Sequence, residues 1–357
     1  MKIVEKRLHL NINAENLPDG ALFLDIETTG LKKETTHIYL FGCMSRDDDG
    51  TWLFRQWFLD SPFEEREALT NIIDYITKFK ILVHFNGDRF DLPFLDYHAR
   101  ERSLSSPFLE MSSLDIYKKV KPLKKLFHME NARLKSFERL LGVYREDKYG
   151  GGELIDVYRT YQKNQSPELL KLLLLHNEED VIGMADLLEL LPYAGFFEKD
   201  AEMISAPPEV ISLDEREIFL RFALPASHRL GAVSFIDEIF FGLKDDHIDL
   251  KLPICCGELK YFYPHHKEYY YLPKEDIAVH KSLATYVNPA FRERATAENC
   301  YTRCSGSFFP LLPGCDARVF KKSAEGEPYA LLDENTLNDV PFWNSYLRAV
   351  LYKIRKS

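Results

Sequence analysis

Short apolar runs broken by turn residues open the chain. LFLDIETTG, HIYLFGCMSR and TWLFRQWFL are rich in β-branched and aromatic residues, the composition that fits a pleated, half-buried surface. RDDDG separates the last two as a turn, so the three runs predict an antiparallel meander. The period then changes. In PFEEREALTNIIDYITKF, Leu69, Ile72, Ile73 and Ile76 recur at helical spacing, and Ser61 before Pro62 offers a cap with proline in the first turn. ILVHFNG predicts a short strand ending at Gly87, FDLPFLDYHARE a helix, and SLDIYKKV a further strand or extended segment. ARLKSFERLLG predicts a helix stopped by Gly142, GGELIDVYRTYQ a helix opened by glycines, and SPELLKLLLLHNEEDVIGMADLLELL a long one from Ser166 and Pro167 to near Pro192. The leucines of that last helix predict burial nearly all round.

Antiparallel strands followed by alternating helices and strands predict an α/β domain with a mixed sheet flanked by helices over residues 1–200. KDAEMISAPPEVISLDE has no clear period, and 201–212 reads as a linker. Beyond it EIFLRFALP, VSFIDEIFFGLK, HIDLKLPICCGELKYFYP and KEYYYLP read as strands, and PFWNSYLRAVLYKIRK as an amphipathic helix. Residues 213–357 are thus expected to form a smaller, β-rich α+β accessory domain, whose role no motif indicates.

Composition narrows the class of protein. The chain has 357 residues, 45% hydrophobic and 29% charged, enough for a large core. MKIVEKRLHLNINAENLP has no apolar stretch of signal-peptide type, and no run reaches the ~18 residues of a membrane span. The six cysteines are sparse and read as reduced thiols. These features lead to the expectation of a cytoplasmic protein without a membrane partner. Cys255–Cys256, Cys300, Cys304 and Cys315 fit no standard zinc spacing. The net charge of −10 does not by itself point to nucleic acid. Yet residues 118–148 carry ten basic residues against four acidic ones, either a track for a phosphate backbone or a solvated face. LKYFYPHHKEYYYLP either stacks bases or forms a twisted hairpin.

The acids carry the chemistry. Asp25 and Glu27 interrupt an apolar strand and, two residues apart, share one face. Close carboxylates in a poorly solvated place cannot both ionise cheaply, and a hard divalent cation removes the conflict. Asp91 opens a helix after strand ILVHF, with Asn86 and Gly87 just before it; Asp88 is a rival ligand in the same loop. His176 and Asp180, at i and i+4, share a face of the long helix. Other readings stand beside these: helix capping for Asp91, a buried ion pair with Arg89 or Lys171 for Asp180, and a satisfied core histidine for His176. Asp115 is expected to cap or to accept a hydrogen bond.

The three motifs DIETTG, NGDRFD and HNEED, in that order, resemble those of the DEDD superfamily of 3′→5′ exonucleases with a ribonuclease-H-like fold. Within it the chain looks most like the bacterial YprB-like, ribonuclease-H-like proteins. The resemblance covers about residues 20–192. It implies that Asp25, Glu27, Asp91 and Asp180 bind two divalent cations, Mg²⁺ or Mn²⁺, with Asp25 bridging both. It implies too that His176 takes the proton of the attacking water. His176 stands four residues before Asp180, the spacing the superfamily usually gives to tyrosine, and Leu175 stands at five. Thr28, Thr29 and Gly30 would contact the 3′-terminal nucleotide; Phe90 either packs on its base or belongs to the core, and Asn86 either bonds substrate or turns the chain. The expected function is a metal-dependent exonuclease that releases nucleoside 5′-monophosphates from single-stranded 3′ ends of RNA or DNA. A nucleic-acid-binding module without turnover and a ribonuclease-H-like endonuclease are the competing expectations.

Overall fold

The computed structural model describes residues 1–12, 15–47 and 49–357 and divides into two compact units. The first comprises Met1–Lys124 and Met129–Ala194, the second Lys125–His128 and Gly195–Ser357.

In the first unit, strands β1 (Lys2–Leu8), β2 (Ala21–Thr28), β3 (Ile38–Arg46) and β4 (Trp52–Phe58) precede helix α1 (Glu65–Ile76). Strand β5 (Ile81–His84), helix α2 (Asp91–Glu101) and strand β6 (Ser112–Asp115) follow. Helices α3 (Ile116–Val120), α4 (Leu123–Leu126), α5 (Leu134–Leu140), α6 (Gly151–Asn164), α7 (Pro167–Asp186) and α8 (Leu191–Gly195) complete the order. One six-stranded sheet runs β1-β4-β3-β2-β5-β6. Its first four strands are antiparallel, while β5 lies parallel to both β2 and β6.

Alternation along β2 separates core from site. Leu22, Leu24 and Ile26 point into a cluster with Leu69, Ile72 and Leu95 of α1 and α2. Asp25 and Glu27 therefore face the opposite side, where Tyr39 and Leu40 pack with Tyr158 of α6 and Leu173 of α7. The sheet is thus covered on both faces, and the fold is the expected mixed α/β sheet flanked by helices.

Several local expectations are met for the stated reasons. Ser61 accepts from Phe63 N–H and forms a capping box with Glu64 ahead of α1. Ser166 caps α7 with Pro167 in its first turn. Gly142 takes φ +80 just past α5, the left-handed position that favours glycine. The turn between β3 and β4 is closed by Gly50 N–H donating to Asp47 O at 3.0 Å; Asp48 within it lies outside the described residues.

Other expectations are corrected. The edge strand β1 has no counterpart in the sequence reading, because its exposed positions leave little apolar pattern. SLDIYKKV divides into β6 and α3. Helix α7 ends at Asp186 and is followed by a 3₁₀ turn over Leu187–Leu190. It is not buried all round either: Leu170, Leu172, Leu174 and Leu175 are only half-buried.

The second unit holds β7 (Glu209–Leu213), β8 (Glu217–Ala223), β9 (Ala232–Ile236), β10 (Ile239–Lys244) and β11 (His247–Pro253), in the order β7-β8-β11-β10-β9. Strand β7 falls on part of the stretch read as a linker, 201–212. VSFIDEIFFGLK is a hairpin whose turn residues, Asp237 and Glu238, both have positive φ. Two three-stranded sheets follow. One joins β12 (Cys255–Phe262) to β16 (Tyr301–Pro310) and β17 (Tyr329–Leu331). The other joins β13 (Tyr269–Leu272) to β14 (Ile277–His280) and β15 (Glu293–Arg294). The unit ends in the helix Val340–Lys356, where Asn344 receives the Met203 and Ile204 amides at 2.7 and 3.1 Å. LKYFYPHHKEYYYLP spans β12 and β13, with Tyr263 stacked on Tyr269 at 4.6 Å. Among the described residues, no helix is long and apolar enough to cross a membrane.

Candidate active site

The first unit brings the separated acidic motifs together. Asp25 and Glu27 lie on β2, Asp91 is the first residue of α2, and His176 and Asp180 occupy one face of α7. Ile26 N–H donates to Asp91 Oδ1 at 3.3 Å, which ties the second motif to the strand of the first. Glu27, His176 and Asp180 each present a ligand atom within 4.8 Å of the others. His176 Nε2 lies 3.3 Å from Asp180 Oδ2 and 3.5 Å from Glu27 Oε1. A cleft of about 490 Å³ opens onto Asp25, Glu27, His176 and Asp180, with Arg133 and Lys135 on its wall.

The electrostatics are those of crowded acids out of water. Burial, then the charges of Asp180, Asp91 and Glu27, push the Asp25 carboxyl well above its ordinary range. Burial raises Glu27 to about 8, against the opposing effect of the His176 ring. It raises Asp91 to about 7, although backbone N–H donors oppose the shift. Asp180 goes the other way. Burial would lift it, but His176 and Arg145 outweigh that and hold it low. His176 is carried up to about 9: burial opposes the charged ring, and Asp180, Glu27 and Asp147 overcome it.

Three supporting groups escape a motif search. The first surrounds Asp25. Asn177 Nδ2 donates to Asp25 Oδ2 at 2.9 Å and to its carbonyl at 3.3 Å, while Gln56 Nε2 donates to Asn177 Oδ1 at 2.9 Å. Asp25, Gly42 and Gln56 are direct partners across three strands. A Cβ at Gly42 would lie 1.9 Å from Asn177 Oδ1, so a glycine is required there for the amide to reach the strand. The second group is Asp147. It meets His176 Nδ1 at 2.6 Å and is held by Lys135 Nζ at 2.7 Å and Tyr149 N–H at 2.9 Å. The third is Arg145, which pairs with both oxygens of buried Glu138 at 2.5 Å and with Asp180. The ion-pair partner of Asp180 is thus Arg145, not Arg89 or Lys171. The clue in the sequence was weak, since REDK at 145–148 reads only as a charged loop.

The rival Asp88 belongs elsewhere. It accepts from Ser113 Oγ at 2.6 Å and pairs with Lys118, in a group with His84 and Asp115. Asp115 accepts the Asn86 N–H at 2.8 Å. Asn86 itself has φ +67, so it serves the turn. Phe90 packs against the α1–α2 core cluster and lies 5.4 Å from the Phe94 ring. Thr28 Oγ1 donates to Gly30 O at 2.8 Å, and Thr29 Oγ1 lies 3.3 Å from His37 Nδ1. At Gly30 a Cβ would meet Thr36 Cγ2 at 2.7 Å, which explains that glycine from within the chain.

The donor set suits a hard divalent cation. It consists of carboxylate oxygens with one imidazole, and burial together with neighbouring charges pushes the Asp25, Glu27 and Asp91 carboxyls up. Among the described residues, Glu27, His176 and Asp180 form one of the groups whose ligand atoms lie close enough to hold such a cation, with Asp25 on the same cleft.

A family model described as the RNase_H superfamily matches residues 22–192, just under half of the chain. No curated protein sequence matches the chain. Among solved structures, the family B DNA polymerase of the hyperthermophilic archaeon Pyrobaculum calidifontis is 12% identical, over 68% of this chain and 34% of that one, with a TM-score of 0.41. The zinc-bound E. coli ExoI–ssDNA complex is 13% identical over 58% of this chain and 55% of that one, with a TM-score of 0.30. The metal-free form of that complex is 12% identical, with a TM-score of 0.33. The chain therefore spans between a third and just over half of the length of these structures.

Proposed function

We propose that the protein is a metal-dependent 3′→5′ exonuclease that hydrolyses phosphodiester bonds of single-stranded RNA or DNA and releases nucleoside 5′-monophosphates. The observation that carries this reading is the meeting of three distant motifs beside one histidine: Asp25, Glu27, His176 and Asp180 line a cleft with basic residues on its wall, and Asp91 is tied to their strand through the Ile26 amide. A surface that only bound nucleic acid would gain nothing from acids gathered against phosphates. The 3′→5′ direction rests on the likeness of DIETTG, NGDRFD and HNEED to the DEDD motifs.

Two divalent cations held by Asp25, Glu27, Asp91 and Asp180 would supply charge stabilisation of the attacking and leaving oxygens. The protein's own groups do the rest. Asn177 and Gln56 fix the Asp25 carboxylate before substrate arrives, which is the preorganisation such sites need. Asp147 accepts from Nδ1 of His176, and that leaves Nε2 turned to the carboxylate cleft as the atom that takes the proton of water. In the metal-free protein Asp180 and Glu27 keep that ring charged. Neutralising those acids removes the larger part of the upward pull, so the neutral base becomes available when the site is loaded.

The test uses single strands of RNA and DNA labelled at the 3′ or the 5′ end, with Mn²⁺ and then with EDTA. Stepwise release of mononucleotides from the 3′ end, stopped by EDTA, is the expected result. Internal cuts would favour an endonuclease, and no cleavage of either polymer would overturn the reading.

A further inference from the structure

The basic stretch of the sequence does not act as one surface. Lys118 is paired with Asp88, and Lys125 belongs to the second unit. The part that reaches the carboxylate cleft is 133–148. Arg133 and Lys135 line that cleft. Lys135 also borders a second depression of about 250 Å³, lined further by Arg139, Tyr144, Arg145 and Lys148. Lys135 thus borders both depressions.

Pairing distinguishes the cations of this segment. Arg145 is spent on Glu138 and Asp180, and Lys135 on Asp147. Arg133, Arg139 and Lys148 are exposed and form no ion pair with a described residue. Of the acids on the same segment, Glu138 and Asp147 are matched by cations, which leaves Glu146 alone. The outward charge is therefore positive beside a cleft full of acids. Tyr144 stands among these cations and is 82% exposed. The loop that carries it is anchored beneath, where Glu179 accepts the Glu146 and Asp147 amides at 2.8 and 3.0 Å. A held loop with an exposed ring and unpaired cations is the composition of a single-strand binding groove, in which cations follow the backbone and aromatic rings stack on bases.

We propose that a single-stranded nucleic acid lies along residues 133–148, with Arg133, Arg139 and Lys148 on its phosphates and the Tyr144 ring stacked on a base. The inference rests on the nuclease reading only in placing the strand's end in the carboxylate cleft. The wall gives affinity for strand beyond the terminal nucleotide and accepts any base, because stacking and phosphate contacts carry little sequence information.

The test is fluorescence anisotropy of the full chain in EDTA, with a labelled oligothymidylate and oligouridylate of about a dozen nucleotides, as a function of salt. Each neutralised phosphate of a single strand contributes roughly 0.7 to the slope of log affinity against log salt. The triple variant R133E/R139E/K148E is therefore expected to lose about 2 from that slope. Tyr144→Ala is expected to bind about tenfold more weakly, and Tyr144→Phe to restore binding. Lys322→Glu, on the second unit, serves as the control without effect. All these side chains are exposed, so near-ultraviolet circular dichroism should match the wild type. Wild-type affinity and slope in the triple variant, or no loss in Tyr144→Ala, would overturn the proposal, as would a wild type that binds neither oligomer. Intact binding effects in a protein that never cleaves either polymer would support the wall and overturn the nuclease reading instead.

Discussion

Gly42→Ala is the sharpest test of how the site is held. The added Cβ would lie 1.9 Å from Asn177 Oδ1 and 2.7 Å from its Cγ, far inside contact. Asn177 is fully buried, so its amide cannot turn out into water. It must give up the bond from Gln56 at 2.9 Å and those to Asp25 at 2.9 and 3.3 Å. A net hydrogen bond is worth about 1 kcal/mol and one to a charged group about 1.5–3 kcal/mol, so the expected loss is about 3 kcal/mol. Asn177→Ala forfeits the same bonds but vacates the space. In that background Gly42→Ala should cost less than about 1 kcal/mol, giving a coupling of about 2 kcal/mol in a double-mutant cycle. Hydrogen-exchange mass spectrometry on peptides covering β2 and β3 measures this locally, free of the second unit's unfolding. A Gly42→Ala cost equally large with and without Asn177 would refute the reasoning.

Three further outcomes are expected. His176→Ala should lower turnover on a labelled oligonucleotide by about 10²–10⁴-fold while oligonucleotide affinity in EDTA stays near wild type; unchanged turnover would assign the ring to the core. Glu27 and Asp91, raised to about 8 and about 7, favour the metal-free fold when protonated, so their contribution is present at acid pH and is lost as pH rises through neutrality. Because a cation must displace those protons, Mn²⁺ affinity should climb from about pH 6 to pH 9 with proton release by calorimetry, and a flat profile would contradict the raised pKa values. Arg145→Ala strands buried Glu138 and should cost about 3–5 kcal/mol by the same exchange measurement on α5 and α7; a loss under about 1 kcal/mol would show that the pair does not hold these helices together.

The sequence was informative wherever chemistry interrupts a strong local pattern. Asp25 and Glu27 stand out because Leu22, Leu24 and Ile26 make the strand obvious, and His176 and Asp180 because they share a helix face. What brings these motifs together depends on contacts between residues far apart in sequence, and no local period encodes those. Asn177 looks like one more polar residue in HNEED until β2 is seen beneath it. Gln56 and Gly42 acquire meaning only from the register that sets them opposite Asp25. Arg145 and Asp147 sit in a charged loop whose pattern is that of solvent-facing turns, yet the Arg145 side chain is 6% exposed and the Asp147 side chain 1%. Strand β1 was illegible for the opposite reason: an edge strand buries too little to write alternation into the chain.

The measurement that bears most directly on the central claim is hydrolysis of a 3′-labelled single strand by the wild-type protein and by Asp25→Asn, with Mn²⁺ and with EDTA. Asp25→Asn keeps the shape and a hydrogen-bonding carbonyl for Asn177 but removes the charge that would hold the cations. The account predicts 3′-end release of mononucleotides by the wild type with Mn²⁺, none with EDTA, and none by the folded variant. Activity retained by Asp25→Asn, or undiminished in EDTA, would contradict it.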